Sequence, residues 1–341
     1  MSKGFDRDAT TKTGRSGLPR SPLPTGLEDL WSDFARSLAR RRRSPSTVEV
    51  YRKSFTQFWQ WAIGEGVDPD PPAVTPAVVN RWLDHLATSP AFRAGREVHD
   101  PDPRTGRPVL RTLSGETIRI RWRNLRPFFV WWCHEMEAPN PFDRSDSPGT
   151  GEPPPPAVLH IDDVRALLAA CAGRDFSDRR DNALIRLLFD SGARLGEIVP
   201  MTQDSWDRRS DLLTLTGKTG TRIVPTSPST GEALSRYLRS RAQHPKAGLE
   251  AFWLAPRGAL GPSGVAQILA RHSRQAGLPR INPHRFRHSW AHEFRADGGS
   301  EGDLMYLAGW KSTAMAHRYG RSAAAERARA SHRRIALGDK L

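Results

Sequence analysis

The stretch Ser191-Gly192-Ala193-Arg194-Leu195-Gly196-Glu197 decides how the second half of this 341-residue chain is read. Glycine ends a helix without steric cost, so the helical signal over residues 178–190 is expected to stop at Gly192. Arg194 then falls near the start of a following helix, where unpaired amides and the positive dipole end favour an anion. A surface arginine is the ordinary reading of any single residue of this type. The neighbours in sequence shift that balance. Lys218 sits beside a tight turn, His284 and Arg287 lie in His284-Arg285-Phe286-Arg287-His288, and Tyr319 lies in Ala316-His317-Arg318-Tyr319-Gly320-Arg321.

These residue types match one kind of chemistry. Breaking a DNA phosphodiester without a metal needs a nucleophile, cations on the nonbridging oxygens, and an acid for the departing sugar oxygen. Arg194 is a candidate phosphate clamp. Lys218, one of only seven lysines, ends a strand where a turn can aim it, which suits a general acid; an exposed charge guarding a hairpin edge is its plain alternative. His284 and Arg287 are three residues apart, so both reach one helical face while Phe286 points inward. His284 and His288 lack a carboxylate at zinc-peptidase spacing, so no metal site is expected. Tyr319 stands in a polar, basic setting where a phenol is not needed for packing. Its rival Tyr306 sits among Leu304, Met305 and Leu307 and is expected to pack.

Outward from these motifs the chain is mainly helical. Residues 1–25 have no apolar periodicity and are read as a disordered arm. Residues 26–137 form a helical domain. Ser46 and Glu49 are read as a capping box before a helix that Gly64 stops, Thr75-Pro76 starts another, residues 92–112 read as a loop, and Ser114 caps the next helix. That helix, over residues 115–136, turns Ile118, Trp122, Leu125, Phe129 and Trp132 towards a core and Arg119, Arg123 and Arg126 towards solvent, a candidate DNA-facing stripe; Pro127 is expected to kink or split it. Residues 138–157, rich in proline and glycine, read as a semi-rigid tether. Residues 158–331 form a second domain. It has helical signals over 161–172, 228–242, 262–275, 284–296 and 301–309, and a small hairpin in which Leu213 and Leu215 alternate with Thr214 and Thr216. Residues 332–341 are a tail, and an Ala- and Arg-rich helix over 323–336 is a candidate docking element.

Composition narrows the partners. The formal charge of +15 and pI near 10.8 favour a polyanion, and arginine supplies most of that charge with a fork suited to phosphate. Cys133 and Cys171 match no metal or redox spacing and are read as buried thiols. The longest apolar run, Phe128 to Cys133, is too short to span a bilayer, so a cytoplasmic, DNA-associated protein without membrane contact is expected.

Taken together, the motifs resemble the tyrosine recombinases, or phage integrases, over about residues 27–331. The arginine box is similar to Ser191–Glu197, the hairpin lysine to Lys218, the His-x-x-Arg-His box to His284–His288, and the final box to Leu307–Tyr319. The resemblance implies a mainly α fold: an N-terminal helical core-binding domain and an α+β catalytic domain with a small antiparallel sheet. It implies that Arg194 and Arg287 hold the scissile phosphate, Lys218 protonates the 5′ oxygen, His284 assists proton transfer, and Tyr319 forms a 3′-phosphotyrosyl link. Glu197 and His288 would support them. The chain departs from the pattern at Ala193, where leucine is usual, at Trp310, where histidine is usual, and in a shorter turn after Lys218. Trp310 can donate a hydrogen bond but cannot shuttle a proton.

The resemblance further implies duplex recombination sites as substrate, a homotetramer on DNA, room for an accessory directionality factor, and no cofactor. A phage or other mobile element is the expected source. Two other readings stay open: a non-catalytic DNA-binding relative, and relaxation of DNA in the manner of a type IB topoisomerase.

Overall fold

Pro45 decides where the second helix of the chain begins. It has no N–H to donate and its φ is already helical, so it takes the first helical position, and the Ser44 hydroxyl accepts from the Thr47 N–H at 3.3 Å. The cap is therefore Ser44 rather than the expected Ser46. At the other end Gly64 is still helical, and Gly66, with φ +75, is the residue that turns the chain away.

The computed structural model describes residues 22–93, 96–102, 104–149, 157–218 and 220–313, together with 316, 328–329, 332–336 and 339. The chain divides into two compact units, Met1–Pro153 and Pro154–Leu341. Of the expected disordered arm, residues 1–21 lie outside the described part. Residues 22–25 differ from that expectation: Leu23 is buried, and the first helix starts at Thr25.

The first unit holds α1 (Thr25–Arg40), α2 (Pro45–Gly64), α3 (Pro76–Thr88) and α4 (Gly115–Glu135). Thr75 and Ser114 cap α3 and α4 as their sequences lead one to expect, each accepting from the N–H three residues on. The core is aromatic: Phe55 meets Phe128 edge-on at 4.7 Å, and Phe58 meets Trp82 edge-on at 5.2 Å. Pro127 does not split α4. An interior proline costs about 3 kcal/mol, and burial of Phe128, Phe129, Trp131 and Trp132 on the same and following turn offsets it. On the other side of α4, Arg119, Arg123 and Arg126 are exposed, with Arg126 paired to Asp143 at 2.9 Å.

Residues 92–112 are a ribbon rather than a loop. β1 (Phe92–Arg93) pairs with β2 (Arg96–Glu97), and β3 (His99–Pro101) pairs with β4 (Pro108–Leu110), both antiparallel. Of the signals that mark a loop here, Asp102 and Gly106 stand in a turn, where the Asp102 carboxylate accepts from the Arg104 and Thr105 amides, while Asp100, Pro101 and Pro108 are themselves strand residues. The expected tether is also partly built into the first unit. Asn140 caps a short 3-10 turn, Pro141–Asp143, and Phe142 is buried 5.2 Å from the Phe129 ring. Residues 150–156 lie outside the described part.

The second unit contains α5 (Ile161–Ala169), α6 (Phe176–Ser191), α7 (Leu195–Ile198), α8 (Pro228–Arg241), α9 (Pro262–Gln275), α10 (Pro283–Ala296) and α11 (Glu301–Ala308). β5 (Trp206–Asp207), β6 (Leu212–Gly217) and β7 (Gly220–Pro225) form a three-stranded antiparallel sheet, and β8 (Leu254–Ala255) pairs with β9 (Gly258–Ala259). The alternation expected for the hairpin is present: Leu213 and Leu215 are buried, while Thr214 and Thr216 are exposed. α6 runs through the core with Ala183, Leu184, Ile185, Leu187 and Leu188 all buried. Its Asp181, also buried, accepts from Arg180 and from Arg271, and lies 2.9 Å from Nε2 of His272, which ties α6 to α9. Cys133 and Cys171 are free, buried thiols.

Tyr306 departs from expectation. It is 75% exposed, because α11 buries the face carrying Leu304 and Ala308 and Tyr306 lies on the other side. No described helix is long and apolar enough to cross a membrane. The helix expected over 323–336 lies largely outside the described residues.

Candidate active site

Gly192 is fixed as glycine twice over. It caps α6 at φ 55 and ψ 21, in the left-handed region, and a Cβ there would overlap the indole of Trp290. This sharp exit sets Arg194 as the residue that starts α7, with its amide donating to Glu197 Oε2 at 2.8 Å and its Nη1 to Glu197 Oε1 at 3.0 Å. α7 is one turn long, so its macrodipole is small. Any grip on an anion here comes from side chains.

The Glu197 carboxylate is almost completely buried and is the hub of the site. Arg222 of β7 donates to it from both terminal nitrogens, at 2.7 and 2.8 Å, and from Nε to the Leu307 carbonyl at 2.7 Å. Burial alone would push the Glu197 carboxyl up, but the Arg222 donors and the Arg194 amide outweigh it and bring it down to about 2. Arg194 keeps about a third of its side chain exposed, and Arg222 a tenth. One charge thus holds two guanidiniums, one 3 residues from it in sequence and the other 25.

The hairpin crosses this hub closely. A Cβ on Gly217 would stand 2.8 Å from Cγ of Glu197, so the last residue of β6 has to be glycine for the strand to pass. Gly217 pairs with Gly220, the latter at φ +114, so Lys218 stands in the turn between β6 and β7. Lys218 is exposed at that turn; Thr219 is outside the described residues.

α10 contributes the histidine motif. Asn282 accepts from the Arg285 amide and Pro283 takes the first helical position, which puts His284 in the exposed first turn. The rings of His284 and His288 stand 4.6 Å apart and nearly perpendicular. Among the described residues, no three His, Cys, Asp or Glu side chains gather into a metal-binding group. Arg287 is 1% exposed, unlike an arginine open to a ligand. It donates to the Gly192 carbonyl at 2.8 Å and the Ala308 carbonyl at 2.7 Å, with its Cζ 5.0 Å from the centre of the Trp310 ring. It satisfies the C-terminal ends of α6 and α11 and brings them together.

The fold thus links Arg194, Glu197 and Arg287 into one framework, with Arg287 joined through Gly192, and it sets Trp310 against Arg287. Lys218 follows directly on Gly217, and His284 lies one turn before Arg287. Tyr319 lies outside the described residues. The sequence reading missed Arg222. Its register partner is Leu215, and it shares an inward-facing alternation with buried Val224, so a charged residue at a core-facing strand position was the available signal.

Comparison with known proteins agrees with this architecture. The profile of the Phage integrase family matches residues 157–326. A tyrosine recombinase XerC of Pseudomonas syringae pv. tomato is 34% identical over 259 residues, covering 74% of this chain and 77% of the relative. A tyrosine recombinase XerD of Corynebacterium glutamicum is 28% identical over 279 residues, covering 80% and 86%. In fold, the chain is similar to the Tn1549 transposon integrase in complex with transposon right end DNA, with a TM-score of 0.68 at 16% identity over 90% of this chain and 99% of the other. It is likewise similar to a lambda integrase dimer bound to a core site, with a TM-score of 0.62 at 16% identity over 86% and 94%. With its C-terminal half matched to the family and a relative above 30% identity spanning most of both chains, this chain belongs to the phage integrase family of tyrosine recombinases, enzymes of site-specific DNA recombination.

Proposed function

We propose that this chain exchanges DNA strands at paired duplex sites, with Tyr319 as its nucleophile and the Glu197-anchored arginines as its phosphate platform. The observation that carries this reading is the buried carboxylate that fixes Arg194 beside Arg222 while leaving part of the Arg194 guanidinium open. A guanidinium already held on one edge presents its remaining donors to a nonbridging oxygen with little further loss of freedom.

In this scheme the Tyr319 phenolic oxygen forms a bond to phosphorus as the bond from phosphorus to the 5′ oxygen breaks. The phenol proton leaves with help from His284, and the 5′ oxygen takes a proton from Lys218. Arg287 supplies positive charge from behind the site and holds Gly192 and Ala308 in place; Trp310 packs against it. His288 supports His284 from the next turn of α10. The 5′ hydroxyl of another strand then attacks the phosphotyrosine, so the bond energy is conserved. Arg119, Arg123 and Arg126 of α4 are the proposed backbone contacts of the first unit. A homotetramer on DNA, a directionality factor and a mobile-element source belong to the same proposal, as does work in a reducing cytoplasm, in keeping with the two free buried thiols.

The test is covalent capture on a nicked duplex that loses its short strand after cleavage. Wild type should give a slow-migrating protein–DNA adduct, and Tyr319→Phe should give none while binding the same duplex. An adduct from Tyr319→Phe would reassign the nucleophile.

A further inference from the structure

Four arginines of the second unit line a single hollow, and no carboxylate lines it with them. The hollow encloses about 430 Å3 beside α6 and α8 and is bounded by Arg174, Arg179, Arg186 and Arg236, with Asn182 and Cys171 between them. Arg179 and Arg186 are half-buried on α6, and Arg186 Nε donates to the Asn182 side chain at 3.2 Å. Carboxylates stand near it, Asp181 within electrostatic reach of the lining residue Cys171 among them. Glu232 pairs with Arg236 at 3.3 Å from an exposed position on α8, and Asp178 packs against Gly173. None of them is among the residues that line the cavity.

Four guanidiniums around one concavity repel one another, most strongly where burial keeps water away. Such a cluster works against folding unless something else selects it, and its planar forks match phosphate oxygens. Along α6, Arg186 precedes Gly192 by about 9 Å and Arg179 by about 20 Å, taking the helical rise per residue, so this is a different place from the Arg194 site. We propose that the hollow binds phosphate groups, either of a free phosphorylated ligand or of a DNA backbone. The inference stands apart from the strand-exchange chemistry proposed above.

Thermal unfolding of the full chain tests it, in an Arg194→Gln background that weakens the other anion site. At matched ionic strength, replacing chloride by inorganic phosphate or pyrophosphate should raise Tm by about 2–4 °C. Adding Arg179→Gln and Arg186→Gln should abolish the rise and leave Tm in chloride equal or higher, because repulsion is relieved. No rise in the parent, or a rise that survives both substitutions, overturns the proposal. If the combined variant does not fold, Arg179→Gln alone and Arg236→Gln alone should each weaken the phosphate response, and an unchanged response in both overturns it too. A duplex of arbitrary sequence separates the sources. Loss of a backbone contact lowers the slope of log affinity against log salt by about 0.9 per phosphate. An unchanged slope alongside a lost phosphate response assigns the hollow to a free ligand.

Discussion

Replacing Glu197 with glutamine removes the one charge that holds Arg194 and Arg222 together. The side chain keeps its size, but one of its terminal atoms becomes a donor facing guanidiniums that also only donate. Four hydrogen-bond donors now converge on the carboxylate: two from Arg222, one from the Arg194 side chain and one from its amide. The gap between the ordinary carboxyl value of 4.5 and about 2 corresponds to about 3 kcal/mol. Neutralising one partner of a buried ion pair costs about 3–5 kcal/mol by a separate route. Because the folded carboxyl is the stronger acid, this stability is fully present above pH 4.5 and disappears as the pH falls through about 2. Urea unfolding of wild type and Glu197→Gln should therefore differ by about 3 kcal/mol at pH 7 and converge as the pH approaches 2. A gap below about 1 kcal/mol at pH 7, or one that does not narrow between pH 5 and 3, refutes the hub role assigned to this residue.

Four further substitutions probe local features of the two units. Ser44→Ala should cost about 1 kcal/mol and Ser46→Ala less than about 0.5, measured by thermal unfolding, with the reverse order placing the α2 cap back at Ser46. Gly192→Ala should destabilise by about 2–5 kcal/mol, combining left-handed strain with overlap onto Trp290; a near-neutral result in urea titration would show that neither constraint holds. Asp181→Asn leaves the buried Arg180 guanidinium without its counter-charge and should cost about 3–5 kcal/mol, read from denaturant midpoints; a loss under 1 kcal/mol would make the α6–α9 tie unimportant.

What could be read from the sequence follows the range of the interactions involved. Thr75-Pro76, Ser114 and the Leu213–Thr216 alternation are local signals, and the fold keeps all of them. Gly192 and Arg194 were legible for the same reason, since a helix end and the next start lie within three residues. Pro45 shows the limit of local reading: two serines flank it, and only the proline's preference for the first helical position decides between them. In residues 92–112 the strands are only two or three residues long, too short to show an alternation, so the ribbon reads as a loop. Tyr306 was misjudged because its sequence neighbours are apolar, whereas the helix period carries it to the open face. Arg222 and the burial of Arg287 were out of reach, because their partners, Glu197, Leu307, Gly192 and Ala308, lie 25, 85, 95 and 21 residues away.

The central claim concerns one phenol. Proteolysis of the trapped covalent complex, followed by tandem mass spectrometry of the nucleotide-bearing peptide, identifies the attacking residue directly. The account predicts a phosphodiester remnant on Tyr319 alone; a remnant on exposed Tyr306, or on any other side chain, contradicts it.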